Sequence, residues 1–233
     1  MSNNNLDKLA ELRWPNDFVD KIICGNCLEV MGLIPDKQID FVFADPPYGR
    51  NKANWDFYYP VGYEKEILRL AKNGVVITCG EKNIGEAITQ LGDEYKAPIY
   101  AWNKNGMTRG ILGYQNVIIA LCAGKIKMGQ NFIQFSIRDL SRKNHPAPKP
   151  IEYMRAIILR FSDPMDLVLD PFLGSGTTAV ACKELGRHFI GIEINPEYCK
   201  IAEHRLAQTA CQSELAITFH ELDHKVEEEK KTS

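Results

Sequence analysis

The chain has 233 residues, of which 45% are hydrophobic and 25% are charged, and its formal net charge is −2. This composition is typical of a globular protein with one substantial core. No apolar run reaches the ~20 residues of a membrane-spanning helix, and the first five residues are polar. We therefore expect no membrane insertion, no secretory signal and a cytoplasmic location. The number of cysteines, seven, is odd, which favours free thiols over disulfides. Cys24 and Cys27 form an isolated Cys-x-x-Cys motif, which by itself predicts no metal site.

The predicted strands and helices alternate along the chain. Apolar runs predict seven strands, at 21–24, 39–44, 75–79, 98–102, 117–122, 167–169 and 189–193. Helical periodicity predicts five helices, at 64–72 ended by Gly74, 84–91 ended by Gly92, 151–161, 177–185 ended by Gly186, and 196–207. Because several strands are apolar throughout, we expect an α/β fold in which helices cover a largely parallel sheet. Residues 1–224 are expected to form one domain, followed by a charged tail at 225–233.

Positive charge is concentrated in one part of the chain. Residues 103–149 contain eight lysines and arginines and one aspartate, a net charge of +7, which leaves −9 for the rest. Such asymmetry favours a surface that faces a polyanion over a solvated basic loop.

A glycine turn follows the predicted strand at 167–169. After Asp170, the residues Gly174 and Gly176 allow a tight turn and a close approach to a ligand at the start of a helix. Glu193 ends the next strand, where a carboxylate can accept hydrogen bonds from both hydroxyls of a ribose. The glycine spacing also fits a nicotinamide or flavin dinucleotide, but Asp170 would repel a pyrophosphate and would suit a cofactor with sulfonium and ammonium charges.

A second motif, Asp45-Pro46-Pro47-Tyr48, follows the predicted strand at 39–44. The prolines stiffen the chain, so the Asp45 carboxylate and the Pro46 carbonyl become two fixed acceptors, and Tyr48 offers a flat face to a planar base. Two acceptors that hold the hydrogens of an exocyclic amine favour a more tetrahedral nitrogen whose lone pair can attack. A proline-rich stretch at 144–150 either lines the cofactor pocket or serves as a stiff linker.

Together, and in this order, the motifs resemble the amino-methyltransferases of DNA, in the permuted group whose catalytic tetrapeptide precedes the cofactor loop. The likeness runs from Gly25 to Arg205. It implies a Rossmann-like, circularly permuted methyltransferase fold with a mostly parallel, seven-stranded sheet and helices on both faces. It also implies catalysis by residues 45–48, in the variant associated with adenine, and a set of residues that bind S-adenosylmethionine. This set is Asn26, Asp170, Phe172, Gly174, Ser175, Gly176, Thr177 and Glu193.

The resemblance implies methyl transfer from S-adenosylmethionine to N6 of an adenine flipped out of double-stranded DNA. Only residues 125–144 are left as a target-recognition segment, which is too short to form a separate domain. Base contacts are therefore expected from this segment and the 103–113 loop, or a second subunit of a homodimer supplies the rest. The residues expected to contact DNA are Arg109, Lys125, Lys127, Arg138, Arg142 and Lys143. The open alternatives are cytosine-N4 methylation, a nicotinamide-dependent oxidoreductase and a non-catalytic DNA-binding relative.

Overall fold

The computed structural model describes residues 9, 11–47, 61–104, 108–110, 113–115, 117–126, 131–136 and 149–209. The strands in these residues are β1 Lys21–Cys24, β2 Ile39–Ala44, β3 Ala71–Thr78, β4 Tyr95–Asn103, β5 Thr108–Gly110, β6 Gly113–Gln115, β7 Val117–Gly124, β8 Phe132–Phe135, β9 Leu167–Asp170 and β10 His188–Glu193. The α-helices are α1 Cys27–Met31, α2 Tyr63–Leu70, α3 Ile84–Leu91, α4 Ile151–Phe161, α5 Thr177–Glu184 and α6 at 196–209.

Eight of these strands form one sheet, in the order β1-β10-β9-β2-β3-β7-β4-β8. Neighbouring strands are parallel except at β7, which is antiparallel to both β3 and β4. The strands β5 and β6 pair with each other in a separate antiparallel ladder. The predicted α/β fold with a largely parallel sheet is therefore confirmed.

Both faces of the sheet are covered, which is what strands without polar alternation require. Along β2, Val42 and Ala44 belong to one core cluster, while Phe41 and Phe43 belong to the other. Residues of α1, α2 and α3 complete the first cluster, and residues of α4, α5 and α6 complete the second. The strand period of two thus divides one apolar run between two cores.

The sheet has an eighth strand, so the prediction of seven strands is wrong, although all seven predicted strands are present. The additional strand, β8, lies in the segment assigned to DNA recognition and pairs in parallel with β4 at the edge of the sheet. It has four residues, of which Phe132 and Gln134 are exposed and Phe135 is buried. An edge strand this short and mixed in polarity does not produce the apolar run that marks a central strand.

The predicted helix at 64–72 is too long, and Gly74 does not end it. The helix α2 ends at Leu70 and β3 begins at once, with the second and third residues of the strand exposed. Gly74 lies inside β3, where an added Cβ would approach Ile126 Cγ2 to 3.0 Å. These two exposed residues are polar and precede a glycine, so in the sequence they look like the end of a helix rather than the start of a strand.

Within the described part of the chain, no helix is long and apolar enough to cross a bilayer.

Candidate functional site

Five parallel strands, β1, β10, β9, β2 and β3, direct their carboxyl ends to one edge of the sheet. Asp45 directly follows β2, Asp170 ends β9 and Glu193 ends β10. The chain continues from β2 to β3 on one side and from β9 to β10 on the other, so the connection reverses between β2 and β9. Open α/β sheets bind ligands at such a switch point. The two motifs, although they are more than a hundred residues apart in sequence, therefore follow adjacent strands.

The glycine turn after β9 is held by the carboxylate of Glu193. Its Oε2 accepts a hydrogen bond from the Gly174 N–H at 2.7 Å, and its Oε1 accepts one from the Asn195 N–H at 2.8 Å. The residue is 9% exposed, and burial raises the pKa of Glu193 above its usual range. Each carboxylate oxygen has a second lone pair, so Glu193 can accept a ligand hydroxyl while it holds the turn.

Asp170 lies beneath the same turn and is almost fully buried. Its Oδ1 accepts from the Phe172 N–H at 2.9 Å, and its Oδ2 accepts from the Thr178 hydroxyl at 2.5 Å. Burial raises the pKa of Asp170 to about 7; these hydrogen bonds oppose the rise, and the negative charges of Asp45 and Glu193 add to it. Asp170 therefore holds the residues at both ends of the turn through its hydrogen bonds.

The second glycine of the turn is required by α6. Gly176 has a φ of +86°, and an added Cβ would lie 2.7 Å from the Cβ of Ala202 in that helix. Arg205, also in α6, donates through Nη1 to the Ser175 carbonyl at 2.5 Å and to Thr177 Oγ1 at 3.2 Å. At Gly176 the missing Cβ therefore leaves room for α6, which packs against the turn.

Asp45 is held at the end of β2 by two side chains from other elements. The hydroxyl of Thr78, the last residue of β3, donates to Oδ1 at 2.5 Å. The ammonium of Lys149, two residues before α4, donates to Oδ2 at 2.5 Å. Pro46 is buried and Pro47 is half-buried, so the backbone next to the carboxylate is also enclosed. The carboxylate thus has a defined orientation at the edge where the glycine turn lies.

Lys149 is the residue of this site that sequence reasoning missed. Its charge was assigned to the polyanion-facing surface, but its ammonium is paired with Asp45. The available signal was the position of Lys149 between Pro148 and Pro150 at the start of a helix, because a lysine flanked by prolines has a restricted backbone.

Asn26, predicted to contact the cofactor, caps α1. Its Oδ1 accepts a hydrogen bond from the Leu28 N–H at 2.9 Å, while the neighbouring Gly25 N–H donates to the Glu193 carbonyl at 2.9 Å. Asn26 therefore lies beside the end of β10. The six described cysteines are free, and burial raises the pKa of Cys27 to about 11. No group of three metal-ligating side chains occurs among the residues that the structure describes.

Most of the residues expected to contact DNA fall outside the described residues. Lys127, Arg138, Arg142 and Lys143 do so, as does Tyr48 of the tetrapeptide. Lys125 is exposed directly after β7, and Arg109 is paired through its backbone with Tyr114 in the β5–β6 ladder. The 103–113 segment, predicted as a loop, thus contains a strand of its own.

Comparisons with known sequences give consistent matches. A family model described as DNA methylase, of the N6/N4 type, matches residues 102–204. The Type II methyltransferase M.HinfI of Haemophilus influenzae is 30% identical over an alignment that covers 83% of this chain and 70% of M.HinfI. The Type II methyltransferase M.HpaI of Haemophilus parainfluenzae is 27% identical over 80% of this chain and 74% of its own length.

Solved structures share the fold. The crystal structure of the M1.HpyAVI–SAM complex matches with a TM-score of 0.65 and 28% identity, over 80% of this chain and 99% of that one. PvuII DNA methyltransferase, described as cytosine-N4-specific, also has a TM-score of 0.65, with 19% identity over 79% of this chain and 85% of its own. At that identity the second match bears on the fold alone.

Proposed function

Since the chain belongs to the N6/N4 family of DNA methylases, we propose that it transfers a methyl group from S-adenosylmethionine to the N6 amino group of an adenine in double-stranded DNA. The adjacency of β2 and β9 carries this proposal, because it puts the Asp45 motif and the glycine turn at one switch point. One strand end presents acceptors for an amine. Its neighbour presents a turn and carboxylates for a nucleoside cofactor.

The residues around the glycine turn fit S-adenosylmethionine. The carboxylates of Asp45, Asp170 and Glu193 act on one another, since the first and third help to raise the pKa of the second. When bound, S-adenosylmethionine supplies a methyl group on a positively charged sulfur, and such a charge is favoured among carboxylates. The cofactor would be held by the turn at 172–177, with Glu193 on its ribose and Asn26 alongside.

A dinucleotide cofactor fits this turn less well. A pyrophosphate binds through free N–H groups at a helix N-terminus. Here the Gly174 N–H already donates to the Glu193 carboxylate, and Asp170 adds a negative charge below the turn. The nicotinamide-dependent oxidoreductase is therefore not favoured.

Asp45 and the Pro46 carbonyl receive the target amine. The lone pair of an exocyclic amine is delocalised into the base, and two acceptors for its hydrogens favour the tetrahedral geometry needed for attack. The protein then has to orient the two reacting groups, which by itself lowers the barrier substantially. An amine inside a duplex is paired and stacked, so the adenine is flipped out at a cost of roughly a few kcal/mol and stacks on Tyr48.

We favour adenine over cytosine as the target base. The tetrapeptide begins with Asp45, as in the variant associated with adenine, whereas the cytosine-amino enzymes it resembles more often begin with serine. The PvuII enzyme, whose description states cytosine-N4 specificity, is only 19% identical to this chain.

The DNA is expected to be read by a short segment. Of residues 125–144, β8 takes four into the sheet, which leaves few for base contacts. A second copy of the chain in a homodimer would enlarge the reading surface. Light scattering of the free and DNA-bound protein tests this arrangement, and a monomer in both states would contradict it.

The reaction is tested by expression in a host that lacks its own DNA methylation, followed by sequencing of the modified bases. N6-methyladenine at one short sequence is the expected result. Detection of N4-methylcytosine would show that the target base is cytosine, and unmodified DNA would contradict the proposed activity.

The role of Asp45 is tested by Asp45→Ala and Asp45→Asn. Both changes remove the charged acceptor, so methyl transfer should fall by on the order of a hundredfold or more, while affinity for S-adenosylmethionine should fall far less because Asp170 and Glu193 remain. Tritiated-methyl transfer and calorimetry measure the two quantities. Asp40→Asn is the matched control, since Asp40 lies in β2, the strand that leads to Asp45, and is also paired with a lysine, at 3.0 Å. Full activity of Asp45→Ala would exclude this mechanism.

A further inference from the structure

Both oxygens of the Asp45 carboxylate accept hydrogen bonds from side chains of other elements. Thr78 donates to Oδ1 and Lys149 donates to Oδ2, both at 2.5 Å. The donors come from β3 and from the segment before α4, so they approach from two separate elements. The carboxylate is therefore fixed in rotation.

We propose that Lys149 is a positioning residue for methyl transfer: its ammonium orients the Asp45 carboxylate and balances its charge, so that the carboxylate meets the target amine in a fixed orientation. This goes beyond the proposed reaction, and it rests on the role proposed for Asp45. Lys149 itself would touch neither the base nor the cofactor.

The surroundings of the ion pair explain why a cation is needed there. The side chains of Lys149 and Asp45 are only 18% and 21% exposed, so water screens the pair weakly. Asp170 and Glu193 bring two more carboxylates to the same edge of the sheet, and the charge of Asp45 acts on Asp170. Without the ammonium, Asp45 would repel its neighbours and would lose one of the two bonds that orient it.

The same two strands carry a second lysine–aspartate pair, which serves as a control. Lys72 of β3 donates to Asp40 Oδ1 at 3.0 Å, at the opposite end of β2, and the lysine side chain is 45% exposed. Removing Lys72 thus deletes another aspartate-paired lysine without touching the candidate site.

The test compares wild type, Lys149→Met, Lys149→Arg and Lys72→Met in single-turnover methylation of unmethylated DNA, together with S-adenosylmethionine binding by calorimetry. Lys149→Met should slow the methyl-transfer step by on the order of a hundredfold, which is the scale of a misplaced reacting group. Lys149→Arg keeps the charge and should recover most of this loss. Cofactor affinity should stay within about twofold of wild type in all variants, and Lys72→Met should match wild type, since a solvent-screened pair contributes little.

A chemical rescue separates this role from a structural one. Lys149→Ala should regain activity when ethylammonium is added, with saturation as the cation fills the vacated position. Equal rates for Lys149→Met and wild type would overturn the inference. So would equal losses in Lys149→Met and Lys149→Arg without rescue of Lys149→Ala, because the lysine would then only hold the fold. If wild type itself leaves DNA unmethylated, the proposed function fails first.

Discussion

Burial of the Asp170 carboxylate makes the stability of the folded protein depend on pH. Its pKa rises from 3.8 to about 7 because the folded protein removes it from water. The folded state therefore keeps a proton that the unfolded chain releases. Ionisation of buried Asp170 lowers the free energy of unfolding. This loss is absent below about pH 4, grows between about pH 4 and pH 7, and is complete above about pH 7.

Binding of S-adenosylmethionine should strengthen as the pH rises from 6 to 8. The positive sulfur favours an ionised Asp170, so the proton must leave when the cofactor binds. The gain should be several-fold and at most about tenfold per pH unit, because one proton is released. Calorimetry in two buffers of different ionisation enthalpy counts the protons released.

Asp170→Asn is the control for this prediction. The variant should lose most of the pH dependence, and its melting temperature at pH 8 should exceed that of wild type, since no charge is buried. Proton uptake on cofactor binding, or an unchanged pH dependence in Asp170→Asn, would assign the effect to other groups.

At the level of single residues, the sequence predicts the types of side chain at the strand ends but not their partners. Asp45, Asp170 and Glu193 are recognisable because each follows an apolar run. The pairing of Lys149 with Asp45 spans 104 positions, and nothing local in the chain encodes it. Such a contact depends on which strands become neighbours, and that is decided by packing of the whole sheet.

The glycine turn and α6 form one mechanical unit, which Gly176→Ala should break. The new methyl group would meet Ala202 at 2.7 Å from its Cβ and 3.0 Å from its Cα, and backbone cannot move aside as a flexible side chain can. We expect a loss of stability above the ~1–2 kcal/mol of a left-handed alanine, together with weaker cofactor binding.

Gly186→Ala separates the clash from the backbone strain. Gly186 also has a positive φ, of +69°, but no atom lies within 4 Å of an added Cβ. Thermal melts should show a smaller loss for Gly186→Ala than for Gly176→Ala, and cofactor affinity should fall only in the latter. Equal losses would mean that contact with α6 is unimportant.

Elements with clear end signals were predicted well, and those without such signals were not. The predicted bounds of α3 and α4 agree with the structure, since Gly92 follows the first and Pro150 precedes the second. The start of β3 and the whole of β8 were missed, because their exposed residues hide the strand pattern. In these places tertiary pairing decides the structure and local pattern does not.

Among the described residues, the strands of the basic segment at 103–149 and the strands that carry the glycine turn and its carboxylates lie on opposite sides of β2. The basic part of the chain supplies β5, β6, β7 and β8, and both of the strands that join the main sheet, β7 and β8, lie on the β3 side of β2. The glycine turn with Asp170 and Glu193 follows β9 and β10, on the other side of β2. A polyanion on one half and a cationic cofactor on the other would therefore meet at Asp45.

This division predicts how DNA binding depends on salt. Arg138→Ala combined with Arg142→Ala should weaken binding to all sequences, because contacts with phosphate carry no base information. If both arginines contact phosphates, the slope of log K against log salt should become shallower by about 2. Lys21→Ala with Lys200→Ala removes the same charge from β1 and α6, on the far side of the sheet, and should leave the slope unchanged. Equal slopes for the arginine variant and wild type would place DNA elsewhere, and equal changes in both double variants would mean that net charge alone governs binding.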